Sequence, residues 1–552
     1  MNKLSINKYN TFFYLIPIFF ILINFYVKFK FISYQSIAGD EPFSIYFSQF
    51  NITTIISHLS SGNNPPLFEI ILHLWIKLFG ISETSVRLLP CLFSSITVYF
   101  IYKIGQKFFS FKSAIIASLF FTLSNYQMYF AHEARVYSLF LLLTSVSMYS
   151  FLNLTKEPKS KKYSVLLIAS SILMLYSHFL SFFVLFVQLL ATISISDLRK
   201  TFLKRLLICF GVVFFLYLPY LRTFIERFYF SSKEGTWIEP VKNLGQLHDF
   251  FNNLINQNTT NYLVFLIIIW FLLQNFINRQ FSKKYLKYAM IVSSIFYLFY
   301  SISIMGPMPY YWKFSSNLIP MTSYICFILT LLLYSVLYKG INHYYKILLI
   351  WFFTPLLIMF ISSIWVPMFI NRHLIFITPP FFLLIAIGVG NLEKTINLKV
   401  SLLIIAIMGI SFNRNVDNKR EIRGMVNKTK DIKTNRTIVY LCPDYFDLNF
   451  SYYYNIEYFK NIHDINLKEN LRQNLASEFI FPINSFSAID TNDFHIADKI
   501  IFIDAAADFS YPNNNIYSGL TSRFVDYNVY EFPESFKIYE FRIPEKPVQD
   551  KK

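Results

Sequence analysis

Apolar runs of about twenty residues recur along this chain, separated by short loops rich in Lys and Arg. A helix rising ~1.5 Å per residue needs roughly 20 residues to cross a ~30 Å hydrocarbon core. Lipid offers no water to a backbone N–H or C=O, so runs of this kind fold as spanning helices. Candidate spans begin near residues 12, 85, 113, 137, 163, 180, 204, 261, 286, 318, 345, 373 and 399, about thirteen in all. The first, about Thr11 to Ile32, is long and lacks a small-residue cleavage site, which marks a retained helix rather than a removed signal peptide.

The loops set the orientation. With the N-terminus in the cytoplasm, the inner loops hold Lys103/Lys107/Lys112, Lys156/Lys159/Lys161/Lys162, Arg199/Lys200/Lys204/Arg205, Arg279/Lys283/Lys284/Lys287, Lys339/Lys346 and Lys394/Lys399. The short outer loops carry little beyond Arg135, Lys313 and Arg372. That asymmetry is the positive-inside pattern. The net charge of +18 is spread through these loops, with no separate basic domain, so nucleic-acid binding is excluded. Only 15% of residues are charged, against ~25% in a soluble protein. The four cysteines show neither metal-ligand spacing nor a disulfide framework.

Three regions do not span, and all fall on the outer face. Ser33 to Ser85 holds Gly39-Asp40-Glu41, then a helix opened by Asn64-Pro65-Pro66, with Glu69, His73 and Lys77 as one polar stripe. Such a helix lies in the interface plane, and the stripe reads as a solvated face. Arg222 to Thr260 contains Trp237-Ile238-Glu239-Pro240 and an amphipathic spacing of Leu244, Leu247, Phe250, Phe251 and Leu254. It either caps a cavity or packs as a loop. The tail from residue 413 to 552 is more polar and carries strand patterns at Thr437–Leu441, Lys499–Ile503 and Phe536–Ile543, with a helix after Pro443-Asp444. At ~140 residues it is long enough for its own core. The fold class is therefore a polytopic α-helical membrane protein (residues 1–412) with a C-terminal extracytoplasmic α/β domain (413–552). No internal repeat, glycine-rich phosphate loop or nucleophile elbow is present.

The polar groups on the outer face are Asp40 and Glu41, His132-Glu133-Ala134-Arg135, His178, and Asn371-Arg372-His373. Ionised groups at the membrane surface are costly and usually serve a purpose. A carboxylate can take a proton from a hydroxyl. An arginine can grip phosphate with two N–H bonds. A divalent metal ion on oxygen ligands would help a phosphate leave. Each residue also has an ordinary reading: Arg135 as a helix-end anchor, Arg372 as a snorkelling side chain, His178 and His73 as structural groups.

These motifs carry a resemblance. Gly39-Asp40-Glu41, Asn64-Pro65-Pro66-Leu67-Phe68, Leu72-His73-Leu74-Trp75-Ile76-Lys77-Leu78-Phe79-Gly80 and Ser85-Val86-Arg87-Leu88-Leu89-Pro90 resemble the N-terminal part of GT-C-fold glycosyltransferases. The nearest group is that of the dolichyl-phosphate-mannose protein mannosyltransferases, aminoarabinose transferases and lipopolysaccharide-core sugar transferases. His132-Glu133-Ala134-Arg135-Val136-Tyr137 resembles its Q-E-A-R-x-Y signature, with His132 in place of glutamine. Tyr176-Ser177-His178-Phe179 resembles a Y-T-H-Y segment, and Asn371-Arg372-His373-Leu374 with Pro379-Pro380 resembles an R-Y-L…P-P span. Asn64 stands where some relatives have lysine or histidine.

The resemblance implies an inverting transferase of the inner (plasma) membrane. Such an enzyme moves a sugar from a polyprenyl-phosphate donor to a lipid, glycan or protein acceptor on the outer face. It implies Asp40 as the catalytic base with Glu41 supporting it, and Glu133, Arg135, His178 and Arg372 around donor phosphate and substrate. The rivals are a transporter or flippase of lipid-linked saccharides, and a non-enzymatic envelope assembly protein. A transporter would more often show paired repeats and broken midplane helices, and neither is evident.

Overall fold

The computed structural model describes residues 3–60, 64–234, 238–241, 245–254, 256, 342–390, 394–413, 421–460, 468–490, 494–495 and 497–543. The spans expected near residues 261, 286 and 318, the Arg279-to-Lys287 cluster, Lys313, Trp237 and Cys326 lie outside these residues. The chain divides into two compact units. One comprises Met1–Phe31, Ile56–Phe68 and Arg87–Val416, and the other Ile32–Ile55, Glu69–Val86 and Asp417–Lys552. Two stretches of the first outer loop thus group with the tail.

Helices occupy the other expected spans, including Lys3–Phe29, Glu83–Phe108, Phe111–Thr122, Tyr137–Lys156, Lys161–Leu175, Ser181–Ser194 and Leu203–Glu234. Among the described residues, five are long and apolar enough to cross a bilayer: Glu83–Phe108, Tyr137–Lys156, Leu203–Phe230, His343–Ser362 and Asn371–Gly390. Leu15–Phe29, Phe111–Thr122, Ser181–Ser194 and Leu398–Ser411 are apolar but shorter. The Leu203–Glu234 helix runs on past Arg222, where the second outer region was expected to start. No Gly or Pro interrupts it after Pro219, and Arg222 and Glu226 pair one turn apart at 2.7 Å. The amphipathic helix expected next is present as Gly245–Leu254, with Leu247, Phe250, Phe251 and Leu254 buried.

Lipid tails are as apolar as leucine, so helices in such a unit associate through close packing and hydrogen bonds. Gln188 Nε2 donates to Ser147 Oγ at 2.9 Å, and the Ser147 and Ser171 hydroxyls lie 3.3 Å apart. Gln127 Nε2 donates to Thr378 Oγ1 at 2.9 Å. Gly105 permits a close backbone approach, since a Cβ there would sit 2.7 Å from Ala114 Cα.

The second unit is built on a five-stranded sheet of order β2-β1-β3-β5-β4. Its strands are β1 (Thr437–Cys442), β2 (Ile480–Pro482), β3 (Lys499–Ala505), β4 (Tyr527–Phe532) and β5 (Phe536–Arg542). β1 lies parallel to β2 and β3, and β5 is antiparallel to β3 and β4. β1 is buried along its whole length, as its unbroken apolar run requires of a strand flanked on both sides. The three strands expected from the sequence are β1, β3 and β5. β2 is too short to carry a pattern, and β4 is an edge strand with exposed positions. The helix expected after Pro443-Asp444 is Asp447–Tyr454.

The polar stripe of the Leu67–Phe79 helix is not the solvated face its spacing suggested. Glu69 and His73 are buried, and only Lys77 is exposed. The reason is the neighbouring Glu41–Phe47 helix. Ser44 Oγ donates to Glu69 Oε1 at 2.9 Å, and His73 Nδ1 donates to the Ser48 carbonyl at 2.9 Å.

Glu540 on β5 couples this unit to pH. It is buried and accepts bonds from Lys499 Nζ at 2.8 Å, Tyr530 OH at 2.9 Å and Asn528 Nδ2 at 3.3 Å. Burial by itself raises a carboxyl pKa, but the three donors outweigh it and hold Glu540 below its ordinary value. A folded-state pKa below the unfolded ~4.3 gives stability that is complete above that value and is lost as pH falls through the folded value. In the full chain, protection factors of β4 and β5 amides should therefore drop between about pH 5 and pH 3. Glu540→Gln should flatten that dependence; an unchanged profile would show that Glu540 does not contribute.

Candidate functional site

The acid turn belongs to the second unit. Gly39 adopts φ +59°, a region that other residues enter at a cost of ~1–2 kcal/mol. The turn leads into the Glu41–Phe47 helix, whose first bond runs from Ser44 N to the Asp40 carbonyl at 3.3 Å. Adjacent residues at a helix start point in different directions. Asp40 is accordingly exposed and Glu41 fully buried. The Glu41 carboxylate accepts the Ala38 N–H at 3.2 Å, and the Glu41 N–H donates to the Ala38 carbonyl at 3.2 Å. Glu41 thus closes the turn on itself, and Asp40 presents its carboxylate to solvent.

The remaining candidate residues belong to the first unit, where the structure brings three inter-helix junctions together. The first is the turn His132–Val136 between two helices. His132 donates from Nε2 to the Lys28 carbonyl at 2.6 Å, and the Arg135 N–H donates to the Glu133 carbonyl at 2.7 Å. Glu133 and Arg135 are buried. The second is the tight turn before the Ser181–Ser194 helix, where Ser177 and Ser181 hydroxyls both donate to the Met174 carbonyl. The third is the 3-10 helix Asn371–Ile377, tied to Tyr126 through the Asn371 carbonyl.

His178 sits at the meeting point. Its ring stacks on Phe140 at 4.8 Å between centroids and meets His373 edge-on at 5.6 Å. Arg135, Arg372 and His373 all lie within its electrostatic reach. The Arg372 guanidinium stands 6.0 Å from the centroid of the Tyr137 ring. His178 Nδ1 accepts the Leu180 N–H at 3.1 Å, which places the ring proton of the neutral form on Nε2. That Nε2 is buried and has no hydrogen-bond partner among the described residues. His373, by contrast, donates from Nδ1 to the Met368 carbonyl at 2.9 Å. Two arginines and two histidines from three separate turns thus lie close together.

His373, grouped with Arg372 from the sequence, meets His178, whereas Lys28 and Arg87 are buried cations that sequence reasoning did not single out. Lys28, in the last turn of the first helix, is buried. Its Nζ donates to Ser94 Oγ at 2.6 Å and stands 4.7 Å from the Phe121 ring centroid. Arg87 is fully buried at the start of its helix. Among the described residues, no three His, Cys, Asp or Glu side chains come together as a metal site.

These features describe a chain of apolar helices in which three turns gather arginine and histidine side chains. Comparison with known proteins bears out the resemblance drawn from the motifs. The family model of dolichyl-phosphate-mannose-protein mannosyltransferase matches residues 63–221. The chain is also similar to ArnT from Cupriavidus metallidurans in the apo state (13% identity, TM-score 0.44, 95% of this chain and 97% of that one). ArnT bound to undecaprenyl phosphate gives 12% identity and TM-score 0.42, with the same coverage. The Archaeoglobus fulgidus oligosaccharyltransferase tethered with an acceptor peptide gives 12% identity and TM-score 0.48, covering 97% of this chain and 75% of that one. No curated protein sequence matches the chain.

The acid turn depends on Gly39. Gly39→Ala should speed hydrogen exchange over residues 36–41 and leave β1 and β3 unaffected, because the strain is local. Gly39→Asn should do so less, since Asn tolerates this region better. Equal exchange in wild type and Gly39→Ala would rule out the strained turn.

Proposed function

We propose that this chain is an inverting glycosyltransferase that takes a sugar from a polyprenyl-phosphate donor and passes it to an envelope acceptor on the outer face. The observation that supports this reading is the family match over residues 63–221, which contains Glu133, Arg135 and His178, with His373 of the Asn371–Ile377 turn ring-to-ring with His178 at 5.6 Å. An acceptor hydroxyl attacks the sugar C1 from the face opposite the phosphate. The new O–C1 bond forms as the C1–O bond to phosphate breaks, so the configuration inverts. Asp40 takes the hydroxyl proton, and its exposed position suits a base that must meet an incoming acceptor. The departing phosphate keeps the bonding electron pair. Arg135 and Arg372 balance its charge, and His178 Nε2–H donates to it. Glu133 orients the arginine turn, and Glu41 holds the acid turn from within. The distribution of Lys and Arg supports a cytoplasmic N-terminus and an extracytoplasmic tail in the plasma membrane. The sugar is a hexose or a pentose, and the acceptor a glycolipid, polysaccharide or protein.

Asp40→Asn is nearly isosteric but cannot take a proton. Transfer from a polyprenyl-phosphate sugar, in membranes holding equal amounts of protein, should fall by ~10²–10⁴ while donor binding persists. Near-normal turnover would sink Asp40 as the base.

The gathered turns make a separate prediction. Arg372→Lys keeps the charge and loses the planar fork, so polyprenyl-phosphate affinity should fall, and fall further in Arg372→Ala. His178→Gln can place its amide N–H near the Nε2 position, whereas the shorter His178→Asn amide reaches only as far as the Nδ1 position. Gln should therefore bind the lipid phosphate more tightly than Asn. Wild-type affinity in both Arg372→Ala and His178→Asn would remove the phosphate assignment.

A further inference from the structure

The tail carries no candidate catalytic residue, yet its helices reach the backbone on either side of Asp40. All of these contacts lie within the second unit. The Ile37 N–H donates to the Tyr453 hydroxyl at 2.5 Å, across 416 positions of sequence. A phenol has one proton to give, and Tyr453 gives it to the Glu83 carboxylate. The other Glu83 oxygen accepts Arg423 Nη2 at 2.5 Å, and Arg423 Nη2 also donates to the Ser33 carbonyl at 3.2 Å. On the far side of the turn, Asn449 Nδ2 donates to the Gly39 carbonyl at 3.4 Å. The relay runs in one direction: amide N–H to phenol, phenol O–H to carboxylate, and the carboxylate held by guanidinium. Every donor has an acceptor, and the last acceptor is ionised, which strengthens the bonds feeding it.

Packing supports the same junction. The Tyr46 ring meets Phe459 edge-on at 5.3 Å, and Tyr452 OH donates to the Ile81 carbonyl at 2.7 Å. Ser36 Oγ accepts the Arg423 N–H at 3.1 Å and donates to Glu421 Oε1 at 3.3 Å. Ile37 and Ala38 are buried, so their backbone groups have no water to replace a lost partner.

We propose that the tail is a positioning device for the acid turn, with Tyr453 as its central positioning residue, Glu83 at the end of the first loop as the acceptor that anchors it, and Asn449 as a secondary one. The device fixes where the Asp40 carboxylate stands; its kinetic consequence rests on the reading of Asp40 as the base. A carboxylate displaced by even ~1 Å can lose up to ~10²-fold in rate.

The test uses the full-length protein in membranes or detergent. Tyr453→Phe removes one hydroxyl and keeps the ring, so the sheet and its helices should fold unchanged. Hydrogen exchange over residues 33–41 should rise about tenfold, the loss expected for a bond in a charged relay, with β1 and β3 at wild-type protection. Turnover should fall while KM for donor stays constant. Glu83→Gln keeps an acceptor oxygen for the phenol and should lie between wild type and Glu83→Ala in both measurements. Unchanged exchange at 33–41 in Tyr453→Phe would overturn the relay whatever activity does. Faster exchange with wild-type turnover would overturn the positioning role. The Asp40→Asn comparison separates both results from a failure of the base assignment itself.

Discussion

A polar group inside the apolar unit has no water to fall back on, and much of that unit's construction follows from this. Serine and threonine hydroxyls turn back to the carbonyl one helical turn earlier, as Ser95 does to Cys91 and Ser145 does to Leu141. Gln188 and Gln127 reach across to hydroxyls on other helices. Lys28, buried at the end of the first helix, meets a serine and an aromatic face. Against that background the buried His178 Nε2–H, set by the Leu180 N–H, is a polar group with no acceptor among the described residues.

The second unit solves a different problem. A turn of a few residues at a membrane surface has little core of its own to hold it. Here the Glu41–Phe47 helix buries Ile45, Tyr46 and Phe47, with Tyr46 against Phe459, and the preceding strand of backbone is held by side chains from the far end of the sequence. One consequence is that two adjacent carboxylates become unlike. Glu41 is committed to the fold through the Ala38 N–H, and Asp40 is exposed. The same division holds on the Leu67–Phe79 helix, where Glu69 and His73 turn inward to Ser44 and Ser48 and Lys77 turns out.

Much of this was legible beforehand where a single periodicity dominates. The apolar runs announce the helices, and Leu247, Phe250, Phe251 and Leu254 announce the buried face of the Gly245–Leu254 helix. β1, β3 and β5 show because their residues are apolar and β-branched or aromatic in one block. β2 and β4 do not, because a three-residue strand has no period and an edge strand is free to be polar. The Glu69 and His73 stripe was read the wrong way round, since spacing tells which residues share a face and not what that face meets.

The sequence by itself determined the class of molecule, the run of helices, the uneven spread of charge among its loops and the short motifs that carry its resemblance. Those properties depend on hydrophobicity, charge and local order, and neighbours along the chain suffice to express them. Tertiary structure alone decided which junctions come together, which of Asp40 and Glu41 is exposed, and that Tyr453 and Asn449 bond a turn roughly four hundred residues away. Such pairings are settled by the packing of distant segments, and a side chain's polarity records that it needs a partner without recording which one.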